Sequence, residues 1–437
     1  MERISRDRQA WVTVAMLFTF MLINFADKAV LGLSAAPIME ELHLTHLQFG
    51  QVASSFFLFF SLAAVLVGFM VNRVSTKRVL LIMALVWSVA QLPMLFLTGL
   101  PLLMANRILL GAGEGPAYPV ALHAAYKWFP NERRPLPSSL ISLGGAVGVG
   151  IVAPLIAYVI VTYSWHAAFG LLGAAGLVWA LAWAVIGREG TLAAAVDHSG
   201  GTALAAVPAH VPYGRLLTCR SVIGAMALGF AAYWLLTLAV VWLPNYLNRG
   251  AGYSPAATSW IVTLPALLQI VAVPGICAFS QALKRRGVSS RVARGVLTSG
   301  CVLLSGTLTF LLPLTSGGLL TIVCVMVAFS IGSTVFSLGH VIVAEVTPPA
   351  QRGAMLGINN AVATLAGVFA PFVMGWIVDM GANPIDGFRM GFMVAGAVVA
   401  AGSVVGALII DPEADIARFS RRQDGTELSA IRPALGA

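Results

Sequence analysis

Two short stretches place ionisable side chains where everything around them is apolar. Asp27 and Lys28 lie inside Ile23-Asn-Phe-Ala-Asp-Lys-Ala-Val-Leu31, and Arg107 and Glu114 open and close Arg107-Ile-Leu-Leu-Gly-Ala-Gly-Glu114. Lys28 and Arg107 are cations able to hold an organic anion, the arginine through its two-pronged guanidinium. Asp27 and Glu114 are acids that can take up and release a proton in a partly dehydrated site, and so couple it to an anion. On a helix, Arg107 and Glu114 share a face two turns apart, whereas Asp27 and Lys28 diverge by about 100° around the axis. One of that neighbouring pair can then meet another helix while the other faces a cavity. The plainer alternative is two permanent ion pairs locking helices together. Two acid–base sets in one half of a chain exceed what helix association requires.

The elements that must carry these groups follow from composition. Of 437 residues, 59% are hydrophobic and 10% charged, with mean hydropathy +0.89. Soluble domains carry about 25% charged residues, and a water-facing surface cannot be built from so few. Apolar runs of about 20 residues, each long enough to cross a bilayer, recur along the chain. The expectation is an all-α membrane protein. A charge at the centre of such a helix costs roughly 2.5–3.5 kcal/mol, so Asp27, Lys28, Arg107 and Glu114 must face a wet cavity or one another.

Twelve spans are expected, near 10–36, 48–71, 79–98, 102–126, 138–161 and 165–187, then near 220–247, 256–283, 291–313, 317–346, 352–378 and 386–410. This divides the chain into a six-helix half over 1–187, a cytoplasmic linker over 188–219, a second half over 220–410 and a polar, mobile tail over 411–437. The start of the chain reads as a retained first helix, not a cleaved signal peptide. Nearly all of the 26 Lys and Arg fall on one side of this map, clustered at Arg3, Arg6 and Arg8, at Arg73, Lys77 and Arg78, at Lys127, Arg133 and Arg134, and from Lys284 to Arg294. The positive-inside rule then puts both termini in the cytoplasm. The net charge of +9 is a topology signal, and a nucleic-acid partner is excluded.

The halves echo each other. Val152-Ala-Pro154-Leu returns as Phe369-Ala-Pro371-Phe, each after a Pro-x-x-Arg loop (Pro130 to Arg133, Pro349 to Arg352). Gly68 and Gly275 are read as opening corresponding loops. The pairs Gly144/Gly148 and Gly353/Gly357 have the spacing that lets helices approach closely. The glycines around Glu114 lie in an apolar span with no strand before them, so a nucleotide loop is excluded. Cys219, Cys277, Cys301 and Cys324 form no paired motif and read as small hydrophobes, with no metal site. His123 and His340 are candidates for a proton route, though core packing explains them more simply. Ser333, Thr334, Ser337, Asn359, Thr364, Tyr233, Thr237 and Gln269 read mainly as interhelical hydrogen-bonding groups.

Arg107-Ile-Leu-Leu-Gly-Ala-Gly-Glu114-Gly-Pro-Ala-Tyr-Pro119 resembles the fourth-helix signature of the anion:cation symporters within the major facilitator superfamily. Asn24-Phe-Ala-Asp27-Lys28 is similar to their first-helix motif, and Trp128-Phe-Pro-x-Glu132-Arg133 and Gly357-x-x-Asn360 also fit. Gly68-Phe-Met-Val-Asn72-Arg73-Val-Ser-Thr-Lys77-Arg78 falls at the superfamily's loop between helices 2 and 3. The likeness spans about residues 10–410. It implies a major facilitator fold of 12 helices, acting as a monomer in the bacterial cytoplasmic (inner) membrane. It also implies import of a small organic carboxylate with a proton, by alternating access. By position, Asp27 and Glu114 are the protonating acids, Arg107 pairs with or orients Glu114, and Lys28 meets the substrate carboxylate. Asn360 lines the pocket from the second half, and Gly68, Asn72, Arg73 and Arg78 form a gating loop. Membrane lipid is the surrounding partner; no cofactor is implied.

The departures matter. Lys28 stands where the family has Arg, and Phe60 and Ala64 where sugar-acid carriers have Tyr and Gln. Asn72 and Gln281 replace loop acids, and Thr364 replaces an Asn. The pocket is therefore expected to be more apolar, favouring an aromatic or short aliphatic acid over a sugar acid. Anion exchange or efflux is the alternative; the fifth span has Ala153-Pro154 without the glycine pair of efflux carriers. An enzyme is not expected, since no HExxH, GxSxG or clustered His/Asp set is present.

Overall fold

A computed structural model of the chain describes residues 2–44, 46–96, 99–190, 210–315 and 317–420. Most of the expected linker (191–209) and tail (421–437) lies outside them. The described residues form helices throughout. In the first half these are α1 (Glu2–Leu33), α2 (Ala35–Glu41), α3 (His46–Met70), α4 (Thr76–Gln91), α5 (Leu100–Glu114), α6 (Ala117–Tyr126), α7 (Pro135–Val147), α8 (Ala153–Thr162) and α9 (Trp165–Ile186). A short α10 (Tyr213–Leu217) precedes α11 (Arg220–Val241), α12 (Pro255–Arg285), α13 (Leu297–Leu311), α14 (Gly318–Ala328), α15 (Thr334–Val346), α16 (Arg352–Met380) and α17 (Pro384–Ile409).

Among the described residues, nine helices are long and apolar enough to cross a membrane. The other three expected places are also helical. The run 55–70 is shorter, the run 100–126 is broken after Glu114, and α7 joins α8 through a widened turn at Gly148–Val152. Helix starts are set locally: the Ser75, Ser164 and Ser254 hydroxyls accept hydrogen bonds from the Arg78, Ala167 and Ala257 backbone N–H groups.

The glycine pairs do bring helices together. A Cβ on Gly144 or Gly148 would stand 2.4 or 2.6 Å from the Phe18 or Leu22 carbonyl of α1. On α16, a Cβ on Gly357 would lie 2.4 Å from the Ala64 carbonyl, and one on Gly353 would lie 2.9 Å from that of Gly68. Lipid supplies no hydrophobic drive between helices, so this close backbone contact is what holds α3 of the first half on α16 of the second.

Three boundaries differ from expectation. Gly68 and Gly275 lie inside α3 and α12, not in loops, because their role is packing or lipid exposure and not a turn. The Ala-Pro repeat begins α8 in the first half but sits within the unbroken α16 in the second. The described part of the tail is no free end. Residues 412–420 are helical, and its acids cap other helices. Asp415 accepts from the backbone N–H and hydroxyl of Ser221, and Glu413 from the Ser290 N–H. The linker is likewise anchored at both described ends. Glu189 accepts from the backbone N–H groups of Thr76 and Lys77 and pairs with Lys127; the Gln351 amide exchanges two hydrogen bonds with the Val211 backbone.

Candidate functional site

The site begins with glycine. A Cβ on Gly111 would stand 2.3 Å from the Phe56 carbonyl, and one on Gly115 2.0 Å from that of Phe60. This stripe seats α5 directly on the α3 backbone. Gly113, on another face, meets Val86 and Trp87 of α4. The remaining face carries Arg107 and Glu114, both buried. Glu114 is the last residue of α5; Gly115 and Pro116 separate it from α6. On α1, Asn24 and Asp27 are fully enclosed, while Lys28 is partly exposed.

Lys28 is placed by three contacts. Its ammonium donates to Asn24 Oδ1 at 2.8 Å. It also lies 4.1 Å from the Phe25 ring centroid and 4.6 Å from that of Phe60, a cation between two π faces. Phe25 is in turn backed by Gly145 of α7, where a Cβ would touch the ring at 3.0 Å. The 100° divergence of Asp27 and Lys28 is thus realised as two environments: Lys28 on the open side, Asp27 inward toward Gln91 of α4.

The four charges act on one another electrostatically, but among the described residues none makes an ion pair with another. Of the two roles expected of Arg107, pairing with Glu114 or orienting it, the ion pair is not formed, and no permanent ion pairs within the set lock the helices. Arg107 Nε donates to Asn106 Oδ1 at 3.1 Å and its guanidinium lies 5.2 Å from the Phe169 ring centroid. Two helical turns separate it from Glu114 along α5. Both carboxylate oxygens of Asp27 and of Glu114, and both amide atoms of Gln91, are enclosed without a hydrogen-bond partner. Gln91 interacts with Asp27, short of good hydrogen-bond geometry. Buried polar groups are ordinarily satisfied, and a cluster that is not marks a functional reservoir of unmet interaction.

Asn360, on α16, is 9% exposed. Nearby on that helix, the Thr364 hydroxyl meets Ser61 of α3 at 3.4 Å. Sequence reasoning missed Tyr118. Its hydroxyl donates to the Phe336 carbonyl at 2.6 Å, across the halves, and its ring lies edge-on to His340 with centroids 5.1 Å apart. Both His340 ring nitrogens and the Ser337 hydroxyl are enclosed without partners. The available signal was a tyrosine beside the Gly115-Pro116 break.

The expected gating loop lies at the end of the bundle that carries the basic loops. Asn72 Oδ1 accepts from the Gly353 backbone N–H at 2.9 Å, in the first turn of α16. Arg73 and Arg78 are exposed. A matching contact joins the other flank, where Gln281 Nε2 donates to the Arg133 carbonyl at 3.0 Å. Arg294, fully buried, pairs with Glu345 at 2.5 Å and donates to the Asn131 side chain and carbonyl across the halves. Glu345 carried no signal in sequence beyond being an acid at a span end. Grooves of about 430 and 320 Å³ open at this same end; neither includes the Asp27/Glu114 set. No metal-holding cluster occurs among the described residues, and the four cysteines are unpaired.

These features define a polytopic helical membrane protein with a set of ionisable groups gathered on α1 and α5. The Major Facilitator Superfamily model matches residues 16–338 and 225–436, and the chain belongs to that superfamily. It is 27% identical over 423 residues to a D-galactonate transporter of Escherichia coli, covering 92% of this chain and 94% of the relative. It is 26% identical to a probable sulfoacetate transporter of Cupriavidus necator (93% and 95% covered) and 25% identical to a hexuronate transporter of Bacillus subtilis (90% and 92%). In fold it is similar to a proton:xylose symporter (TM-score 0.71, 15% identity, 93% and 96% covered) and to the fucose:proton symporter of E. coli (TM-score 0.68, 14% identity, 91% and 99%). The matches point to a transporter and away from an enzyme.

Proposed function

We propose that this chain is a proton-coupled symporter that imports a small organic carboxylate by alternating access, with both termini in the cytoplasm of a bacterium and the protein embedded as a monomer in its inner membrane. The observation that carries the reading is the division of labour at the centre. Lys28, partly exposed and clamped by Asn24, Phe25 and Phe60, offers a cation to the substrate. Asp27 and Glu114, enclosed and without hydrogen bonds, are the proton carriers. An uncompensated carboxylate in a bundle is costly while charged. Loading a proton relieves that cost, and an anion arriving at Lys28 changes the field both acids feel. Binding and protonation are thereby coupled, and the halves rock about this centre.

The Phe25 and Phe60 faces beside Lys28 favour an aromatic or short aliphatic acid over a polyhydroxylated one. Of the relatives, one is named a D-galactonate transporter, one a hexuronate transporter and one a probable sulfoacetate transporter. Asn360 lines the pocket from α16, and Arg107 orients Glu114 through the field at a distance. Asn72, with Gly68, Arg73 and Arg78 around it, latches the basic end.

The test is uptake into proteoliposomes under an imposed inward proton gradient, with labelled aromatic, short aliphatic and sugar acids side by side and Glu114→Gln in parallel. Gradient-driven accumulation of one acid, lost in Glu114→Gln, is expected. Accumulation that ignores the gradient and requires internal anion would establish exchange and remove the roles given to Asp27 and Glu114.

A further inference from the structure

At the end opposite the basic loops, a chain of ring contacts runs from Arg107 out to an exposed acid. Arg107 is buried, and its guanidinium is set by Asn106 and by the Phe169 ring, whose centroid lies 5.2 Å away. One of its terminal nitrogens is enclosed without a partner. Phe169 stands one turn along α9 from Trp165, whose ring meets it edge-on with centroids 5.7 Å apart. Trp165 is 2% exposed, and its indole N–H donates to Glu41 Oε2 at 2.7 Å. The His166 ring stacks on Trp165 with centroids 3.6 Å apart. His166 Nε2 lies 3.0 Å from Glu41 Oε1, and Nδ1 lies 2.6 Å from the Met94 carbonyl oxygen. Three segments meet here: α2, the turn at 92–95 after α4, and the first turn of α9.

Both nitrogens of the His166 ring face acceptor oxygens, and a neutral imidazole has only one N–H. Glu41 and His166 together therefore hold one proton more than a carboxylate beside a neutral ring. Burial pushes the Glu41 carboxyl up, but hydrogen bonds from Trp165 and His166 outweigh it and hold the group below its ordinary value of 4.5. The extra proton accordingly sits on the ring. Without it, a ring lone pair would stand against the carboxylate at 3.0 Å. Imidazole is the side chain that gains and loses charge across neutral pH. The folded contacts favour its protonated form, so they are complete at acid pH and lost as pH rises. Other charged groups on the packed elements are Glu40 and His43, exposed beside Glu41, Tyr163 at the end of α8, and Asp27, Lys28 and Arg107 deeper on α1 and α5. Among the described residues none of them makes a hydrogen bond or ion pair with the His166 ring.

We propose that Glu41, Trp165 and His166 form a proton-held clasp that positions Arg107 through the Phe169 ring and so tunes how tightly the centre holds its anion. The effect on the anion rests on the symport reading; the clasp itself does not. When the proton leaves, Glu41 parts from the first turn of α9 and Trp165 loses its acceptor. Phe169 then loses its support beneath the guanidinium. Glu41, Trp165, His166 and Phe169 are positioning residues, acting on the anion only through Arg107.

The experiment compares the unaltered full-length protein with two variants whose donors do not titrate, His166→Arg and His166→Gln, and with Phe169→Leu, which keeps bulk and removes the π face. KM for uptake into proteoliposomes is measured under one imposed gradient at about pH 6 and about pH 8.5, on either side of neutral imidazole titration. Labelled phenylacetate, lactate and gluconate are the probes. The proton-carrying acids are common to all these proteins and cancel in a ratio of KM values. The ratio of the unaltered KM to that of either His166 variant is expected to rise about fivefold from the acid to the alkaline condition. Phe169→Leu is expected to raise KM about fivefold at acid pH, with kcat changed less. A ratio that does not change with pH, or an unchanged KM in Phe169→Leu, overturns the assignment. If no probe accumulates with the unaltered protein, the symport reading has failed, and the clasp is decided by melting in detergent and by deuterium exchange of residues 100–114. His166→Arg should then gain about 2 °C on the unaltered protein between the acid and alkaline conditions, and Phe169→Leu should speed exchange around Arg107. Parallel melting profiles or unchanged exchange would overturn the clasp as well.

Discussion

Replacing Gly115 by alanine tests how the centre is held. The added methyl would lie 2.0 Å from the Phe60 carbonyl oxygen, 2.7 Å from its carbon and 2.8 Å from the Phe60 Cα. All three are backbone atoms, so no side chain can swing aside. Ordinary contact begins near 3.4 Å, and α3 and α5 must part by roughly 1.4 Å to reach it. Overpacking of this kind costs about 1–3 kcal/mol, and with two rigid backbones opposed the upper end is expected. Phe60 moves with α3, away from the Lys28 ammonium that it contacts at 4.6 Å, so the anion site loosens as the bundle weakens. The control is Gly300→Ala on α13, where nothing lies within 4 Å of the added Cβ. There the helix should gain a little, since alanine is favoured over glycine by about 0.5–1 kcal/mol. Melting in detergent and uptake into proteoliposomes are measured for both. Gly115→Ala should melt several degrees lower and lose most uptake, while Gly300→Ala matches or exceeds the parent. If Gly115→Ala melts and transports like the parent, close backbone contact is not what seats α5, and the argument fails.

Lys28→Met, which keeps the stem and removes the charge, should lower uptake of the substrate acid at least about a hundredfold, whereas Phe60→Ala should raise KM several-fold for loss of a contact worth about 0.5–2 kcal/mol; an unchanged KM in both would place the anion elsewhere. Asn72→Ala removes the acceptor of the Gly353 N–H and should shift the basic end about fivefold toward opening, for a hydrogen bond worth about 1 kcal/mol. Asn72→Asp, placing a charge at a helix N-terminus, should shift it the other way. Spin-label distances between loop 71–75 and residues 349–351 read both. Burial pushes the Glu189 carboxylate up, but hydrogen bonds from Lys127, the Lys77 N–H and Thr76 outweigh it and hold the group below its ordinary value of 4.5. A depressed folded value means that its contribution is full above the unfolded value and lost as pH falls through 4.5 and the lower folded value. Glu189→Gln should therefore flatten the acid limb of the melting curve and leave the neutral limb slightly lowered; a parallel acid limb would show that Glu189 does not anchor α4.

The class, the helical runs and the burial of Asp27, Arg107 and Glu114 were legible in the sequence, because each depends on local order. A chain so poor in charge has too little polar surface for water. Apolar runs mark where helices long enough to cross a membrane lie. The 100° step fixed that Asp27 and Lys28 point to different surroundings, and the seven-residue step fixed that Arg107 and Glu114 share a face. GxxxG spacing announced close approach at Gly144/Gly148 and Gly353/Gly357.

What the sequence did not hold is which neighbour each face meets, since periodicity sets an angle about a helix's own axis and says nothing of the helix across from it. The tertiary structure decided that Asp27 turns to Gln91 and Lys28 to the Phe25 and Phe60 rings, and that Arg107 lies against the Phe169 ring. It also decided that Tyr118 reaches the Phe336 carbonyl, and that acids read as linker and tail, Glu189, Glu413 and Asp415, close the exposed N-termini of distant helices. Those N-termini carry backbone N–H groups with no partner within their own helix, and only folding brings a carboxylate from far along the chain to meet them.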